Sequence, residues 1–230
     1  MTRTPPVPLA LALTLALALA LAGCAARGPV DDVIGRRLTW FSYVGAEDIA
    51  ARCRPGNLPE YRLVYNARWD EQVRSYDIAG GVLQARVFSG RLTAQVRLDD
   101  PFRSVIGRRA DRPMSAGDLA ALDQALADSG FEQPAPAGLR LRADAFFWTA
   151  AACRDGTFTF NAWQSPDPGF AGIRFDRVLF ALDVTGEPVN PARPVLLRPE
   201  GQPVRHDGDG GPDFVIEVAR NGVLSGRLFP

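Results

Sequence analysis

Residues 61–98 read YRLVYNARWDEQVRSYDIAGGVLQARVFSGRLTAQVRL, and apolar side chains recur in them at every second position. Leu63, Tyr65, Ala67 and Trp69 alternate with Arg62, Asn66 and Arg68, the period of a strand with two unlike faces. Asp70-Glu71 can turn the chain into residues 72–78, and Gly80-Gly81 supplies a second turn. Residues 82–88 then run to Ser89-Gly90, after which Leu92, Ala94, Val96 and Leu98 alternate with Arg91, Thr93, Gln95 and Arg97. The stretch predicts a four-stranded antiparallel meander whose arginines line a solvated face.

Downstream, residues 99–113 carry Arg103, Arg108, Arg109 and Arg112 beside Asp99, Asp100 and Asp111, and read as a loop of internally paired charge. One helix is firmly signalled over residues 115–129. Ser115 is a good N-cap with Asp118 in the capping-box position, Met114 can staple onto Leu119, and Leu119, Leu122 and Leu126 mark one face. Gly130 suits the position just past the helix end.

Residues 145–153 are apolar at both parities, the mark of a strand covered on two sides, and Asp155-Gly156 signals a tight hairpin into residues 157–163. Val178, Phe180, Leu182 and Val184 suggest a further strand, and residues 188–203 an irregular loop. Residues 214–219 and 223–228 flank Asn221-Gly222, a second hairpin signal. Upstream, residues 38–44 have strand composition and residues 47–53 a short helical character. About nine strands and one firm helix predict a mainly β, α+β fold, an antiparallel sandwich or open barrel over residues 38–230.

Composition removes several chemistries. The chain has 26 basic and 26 acidic residues, and every basic one is arginine. P-loops, protein kinases, Schiff-base enzymes and Ser-Lys dyads all need a lysine and are excluded. A single histidine, His206, rules out zinc sites built on several imidazoles of one chain, and no G-x-S-x-G elbow accompanies it. Zero net charge gives no footprint for nucleic acid. Trp40, Tyr43, Tyr65, Trp69, Trp148 and Trp163 either form core or line a cavity for a lipid or glycan, core being the expectation.

At the start of the chain Arg3 precedes an uncharged apolar run that closes on Ala22 and Gly23 and is too short for the roughly 20 residues a bilayer requires. That is the form of a cleaved secretory signal over residues 1–23. Leu21-Ala22-Gly23-Cys24 resembles the lipobox of bacterial lipoproteins. The resemblance implies that Cys24 becomes the first mature residue and carries acyl chains. With Ala25 following, it also implies sorting to the periplasmic face of the outer membrane. Residues 24–37 then read as a tether.

With Cys24 committed to lipid, Cys53 and Cys153 remain as an even pair in an oxidising compartment, where a disulfide is expected. A redox pair or metal ligands are the alternatives, but the spacing is nothing like C-x-x-C and further soft ligands are lacking. Asp207, Asp209 and Asp213, in a glycine-rich run, resemble the calcium loop of FG-GAP-type and dockerin-like repeats. Arg205 stands where such loops begin with another acid. No other cofactor is expected.

The functional expectation is a lipid-anchored envelope protein that binds an unidentified protein, lipid or glycan partner without catalysis. A carboxylate-based hydrolase of envelope polymers and a calcium-stabilised adhesion or interaction module are the alternatives.

Overall fold

The computed structural model describes residues 40–89, 107–136, 138–197 and 213–229. The apolar alternation of the meander becomes a sheet, with β1 at Glu60–Ala67, β2 at Gln72–Ala79 and β3 at Val82–Ser89, all antiparallel. β4 (Arg108–Pro113) pairs with β3, while β6 (Phe146–Arg154) and β7 (Thr157–Gln164) extend the sheet beyond β1. The resulting order is β4-β3-β2-β1-β6-β7. A smaller sheet has the order β5-β8-β9, from Arg140–Arg142, Asp213–Ala219 and Gly222–Phe229. Neither sheet closes into a barrel, so the architecture is a β-rich α+β sandwich.

Both faces of the large sheet are covered. On one, Leu63, Tyr65, Tyr76 and Trp148 pack against α2 (Ala116–Asp128) and α4 (Phe175–Leu182), which contribute Leu122, Leu126, Phe175 and Leu179. On the other, Val64, Val73, Phe147 and Ala151 meet Trp40, Val44 and Ile49 from the N-terminal helical stretch and Phe214, Ile216 and Val218 from β8. The N-terminal stretch comprises helical residues 40–44 and α1 (Glu47–Arg52); α3 (Pro168–Ala171) is a short turn after β7. β6, buried at eight consecutive positions, is the strand shared by the two cores, as its double-parity apolar run requires.

Local signals shaped α2 as expected. Ser115 and Asp118 form a reciprocal capping box. At the far end Gly130 has φ 74°, its N–H bonds Ala127 O, and the Phe131 N–H bonds Leu126 O, the pair of contacts of a Schellman motif. Asp155 and Gly156 both take positive φ in the β6–β7 turn.

Several expectations are corrected. The strand beside β3 is β4, drawn from residues expected to be loop, while Leu92–Leu98 lies outside the described residues. β4 is a charged edge strand with no buried residue, so it carries no hydrophobic period to read. The polar residues of the meander are not all solvated: Arg62, Asn66 and Arg74 are buried, the two arginines through partners described below and Asn66 by donating to the Ala143 and Ala145 carbonyls. Residues 40–44 are helical instead of extended, because Trp40, Tyr43 and Val44 fall at the i, i+3, i+4 spacing that faces the sheet. Residues 178–182 are helical as well, since Phe175, Leu179 and Leu182 form a stripe that outweighs the period-2 pattern. The last hairpin turns at residues 220–221, one position before the Asn-Gly signal.

Candidate functional site

In the β1–β2 register Arg62 stands directly opposite Asp77, and its Nε donates to Asp77 Oδ1 at 2.6 Å. The helical stretch lays Tyr43 across this pair: the Tyr43 hydroxyl donates to Asp77 Oδ2 at 2.6 Å, and the Arg62 guanidinium lies 4.0 Å from the ring centroid. Asp48, in the first turn of α1, accepts from Arg62 Nη1 at 2.6 Å and Nη2 at 3.2 Å. One helical turn on, Arg52 bonds Asp48 at 2.8 Å and grips Glu60, at the start of β1, through Nε and Nη2 at 2.9 and 2.6 Å. The result is an unbroken chain, Glu60–Arg52–Asp48–Arg62–Asp77–Tyr43.

This chain lines a cleft of about 380 Å³ at one end of the large sheet, with Gln84 and Arg86 of β3 on its far wall. A disulfide joins Cys53, the residue after α1, to Cys153, which is the register partner of Glu60. The bond therefore pins the wall of the cleft to β6. The Cα atoms are 5.6 Å apart, within the span a disulfide bridges.

Charge in the cleft is balanced locally. Burial works against ionising Asp48, but hydrogen bonds from Arg62 and Arg52 outweigh it and hold its pKa at about 2. Burial likewise opposes the Arg62 cation, and the Asp77 charge overrides it, pushing that group further up. Burial and the neighbouring Asp77 carboxylate raise the Tyr43 phenol far above its ordinary range. Asp48 is thus no proton donor near neutrality, and Asp77 is engaged through both oxygens. The half-exposed Asp48 and Arg52 give the mouth paired charges of both signs, suited to holding a polar partner.

On the opposite face a second buried network fastens the segment after α4. Arg74, fully buried, donates to Asp183 at 2.5 Å, to the carbonyls of Glu187 and Pro188 at 2.7 Å each, and to Gln72 at 2.8 Å. Asp183 also accepts from the Tyr76 hydroxyl at 2.9 Å and from Thr185 N and Oγ1 at 2.8 and 2.5 Å. Four donors fill the Asp183 carboxylate, and four acceptors take up all but one of the five N–H groups of the Arg74 guanidinium.

The residues singled out in the sequence are scattered. Cys24, His206, Asp207 and Asp209 lie outside the described residues, and Asp213 opens β8 in register with Phe229. Among the described residues no group of three or more His, Cys, Asp or Glu is placed to hold a metal. The six aromatics divide between the cores: Tyr65, Trp148 and Trp163 face the α2/α4 side, and Trp40, Tyr43 and Trp69 the other. They therefore do not line one cavity. The cleft itself was missed, although a hairpin turning at residues 68–71 already places Arg62 opposite Asp77. Comparison with protein-family models, with curated proteins and with solved structures returned no match to this chain.

Proposed function

We propose that this chain is a lipid-anchored protein of the bacterial outer membrane, acylated at Cys24 and facing the periplasm, whose folded part acts by binding. The observation that carries the reading is the Cys53–Cys153 disulfide. It uses two of the three cysteines, belongs to an oxidising compartment, and leaves Cys24 in its Leu-Ala-Gly-Cys setting for a different chemistry. The binding site in this reading is the cleft at Tyr43, Asp48, Arg62 and Asp77. Its carboxylates are neutralised by guanidinium groups interposed between them, which favours recognition over the hydrolase alternative. A glycosidase pair would need one carboxyl held protonated near neutral pH.

The test has two arms. Intact mass of the membrane-extracted protein should show a chain that begins at Cys24 and carries acyl groups, and Cys24→Ser should release it from the membrane fraction. Crosslinking in intact cells should then capture an envelope component, and Arg62→Met should reduce that capture. A product that keeps residues 1–23, or a Cys24→Ser variant that sediments as before, would sink the anchor. Capture unaffected by Arg62→Met in a folded variant would remove the cleft from the binding role.

A further inference from the structure

Positive and negative charge are equally represented in the cleft. Among the described residues its walls hold three carboxylates, Asp48, Glu60 and Asp77, and three guanidinium groups, Arg52, Arg62 and Arg86. Five of the six alternate along one hydrogen-bonded chain, Glu60–Arg52–Asp48–Arg62–Asp77, with successive contacts of 2.6, 2.8, 2.6 and 2.6 Å. Groups that only accept and groups that only donate therefore follow one another along the wall. Hydrogen-bonding capacity is left over at two points of this alternation. Arg52, half-exposed, uses three of its five N–H groups, on Glu60 and Asp48. Asp77, partly exposed, accepts from Arg62 and Tyr43 alone, two hydrogen bonds where a carboxylate has room for about four.

We propose that the cleft takes an uncharged polyhydroxyl ligand, a sugar ring, whose hydroxyl groups bridge neighbouring carboxylates and guanidinium groups of this chain. The inference rests on the cleft being the binding site and names the chemical class that fills it. A hydroxyl donates and accepts through one atom, so it gives its proton to Asp48 or Asp77 while receiving one from Arg52. Phosphate and carboxylate only accept, and an ammonium only donates, so each meets a group of its own charge at every second place along the wall. Either kind of ion would also bring a net charge into a cleft whose own charges cancel, and would lose hydration without an unpaired counter-charge to replace it. A neutral ring loses far less. The volume of about 380 Å³ falls within the roughly 300–1,000 Å³ of pockets that hold small molecules.

The probe is one ring in three charge states: N-acetylglucosamine, which is neutral, glucosamine, which is cationic, and N-acetylglucosamine 6-phosphate, which is anionic. Each is titrated against the full-length protein in detergent and followed by ligand-observed NMR. The neutral sugar should bind at least about tenfold tighter than either ion, and its dissociation constant should change less than about twofold between about 50 and 500 mM sodium chloride. Asp48→Asn leaves a guanidinium in surplus and should shift the ratio of phosphate to neutral binding by about tenfold or more towards the phosphate. Arg52→Met leaves a carboxylate in surplus and should shift preference towards glucosamine instead. Both side chains are half-exposed, so neither change strands a buried charge at its own position. An ion that binds the unaltered protein better than the neutral sugar overturns the ligand class and leaves the cleft as the binding site. Neutral-sugar binding that Asp48→Asn, Arg52→Met and Arg62→Met all leave unchanged lies elsewhere on the molecule and overturns it as well. Binding by none of the three, while Arg62→Met still lowers capture in cells, overturns the sugar and assigns the cleft to a protein partner. Binding by none, with capture indifferent to Arg62→Met, overturns the cleft reading and the ligand class together.

Discussion

Arg74 shows what a single residue does in this fold and why the sequence concealed it. It shares a face of β2 with Tyr76 and Ile78 but as an arginine reads as a solvent-facing cation, yet it is fully buried and clamps Asp183 together with two backbone carbonyls. Burying an ion pair gives little net stability, but removing one partner strands the other charge, at about 3–5 kcal/mol. Arg74→Met should therefore lower the unfolding free energy obtained from urea denaturation by an amount in that range, whereas Arg74→Met combined with Asp183→Leu should recover a large part of it. If the double variant loses the sum of the two single losses, the residues are not coupled. Arg62 was hidden in the same way. A one-letter pattern marks both arginines as polar, and only their partners, Asp77 across the register from Arg62 and Asp183 just past α4 for Arg74, reveal them as interior.

Elements proved legible where their ends carry chemistry of their own. α2 has a serine cap, an acid three residues on and a glycine stop, and each does in the structure what its type suggests. Ser115→Ala removes the hydroxyl that accepts from the Asp118 N–H at 3.1 Å and should cost about 1 kcal/mol, read as a fall in melting temperature. An unchanged melting temperature would mean that tertiary packing alone sets the start of α2. α4 has no side-chain cap, and its sequence carries a period-2 pattern beside the helical stripe of Phe175, Leu179 and Leu182, which wins once it packs against α2. β4 buries nothing and left no pattern. The Asp155-Gly156 turn was legible, and its tight fit supplies another test. A Cβ on Gly156 would lie 2.4 Å from the Pro55 backbone nitrogen, at a residue with φ 76°. Gly156→Ala should therefore destabilise the corner that holds the disulfide by more than the roughly 1 kcal/mol of an ordinary strained turn, measured by denaturant unfolding.

For the whole molecule, fold class was readable because strand period, turn residues and one capped helix agree, while the cleft was not, because it is assembled from three separate segments. Global burial has a spectroscopic signature. The chain has four tyrosines, Tyr43, Tyr61, Tyr65 and Tyr76, and burial foremost, then nearby carboxylates, raises every one above its ordinary value. A phenol whose folded pKa is raised stabilises the fold below the unfolded value, about 10, and that contribution is lost as pH climbs beyond it. Phenolate absorbance should stay flat through about pH 10 and then rise in one step with loss of the β-sheet circular dichroism. A tyrosine that titrates in the folded protein would contradict its burial.

The bond between Cys53 and Cys153 also governs how the molecule fails. The two sulfurs are 100 positions apart in the chain, and the interval contains most of the large sheet. A protease that nicks the backbone once anywhere in that interval releases nothing. The halves should travel as one species on a denaturing gel and part only when thiol is added, so a clipped molecule would stay in one covalent piece.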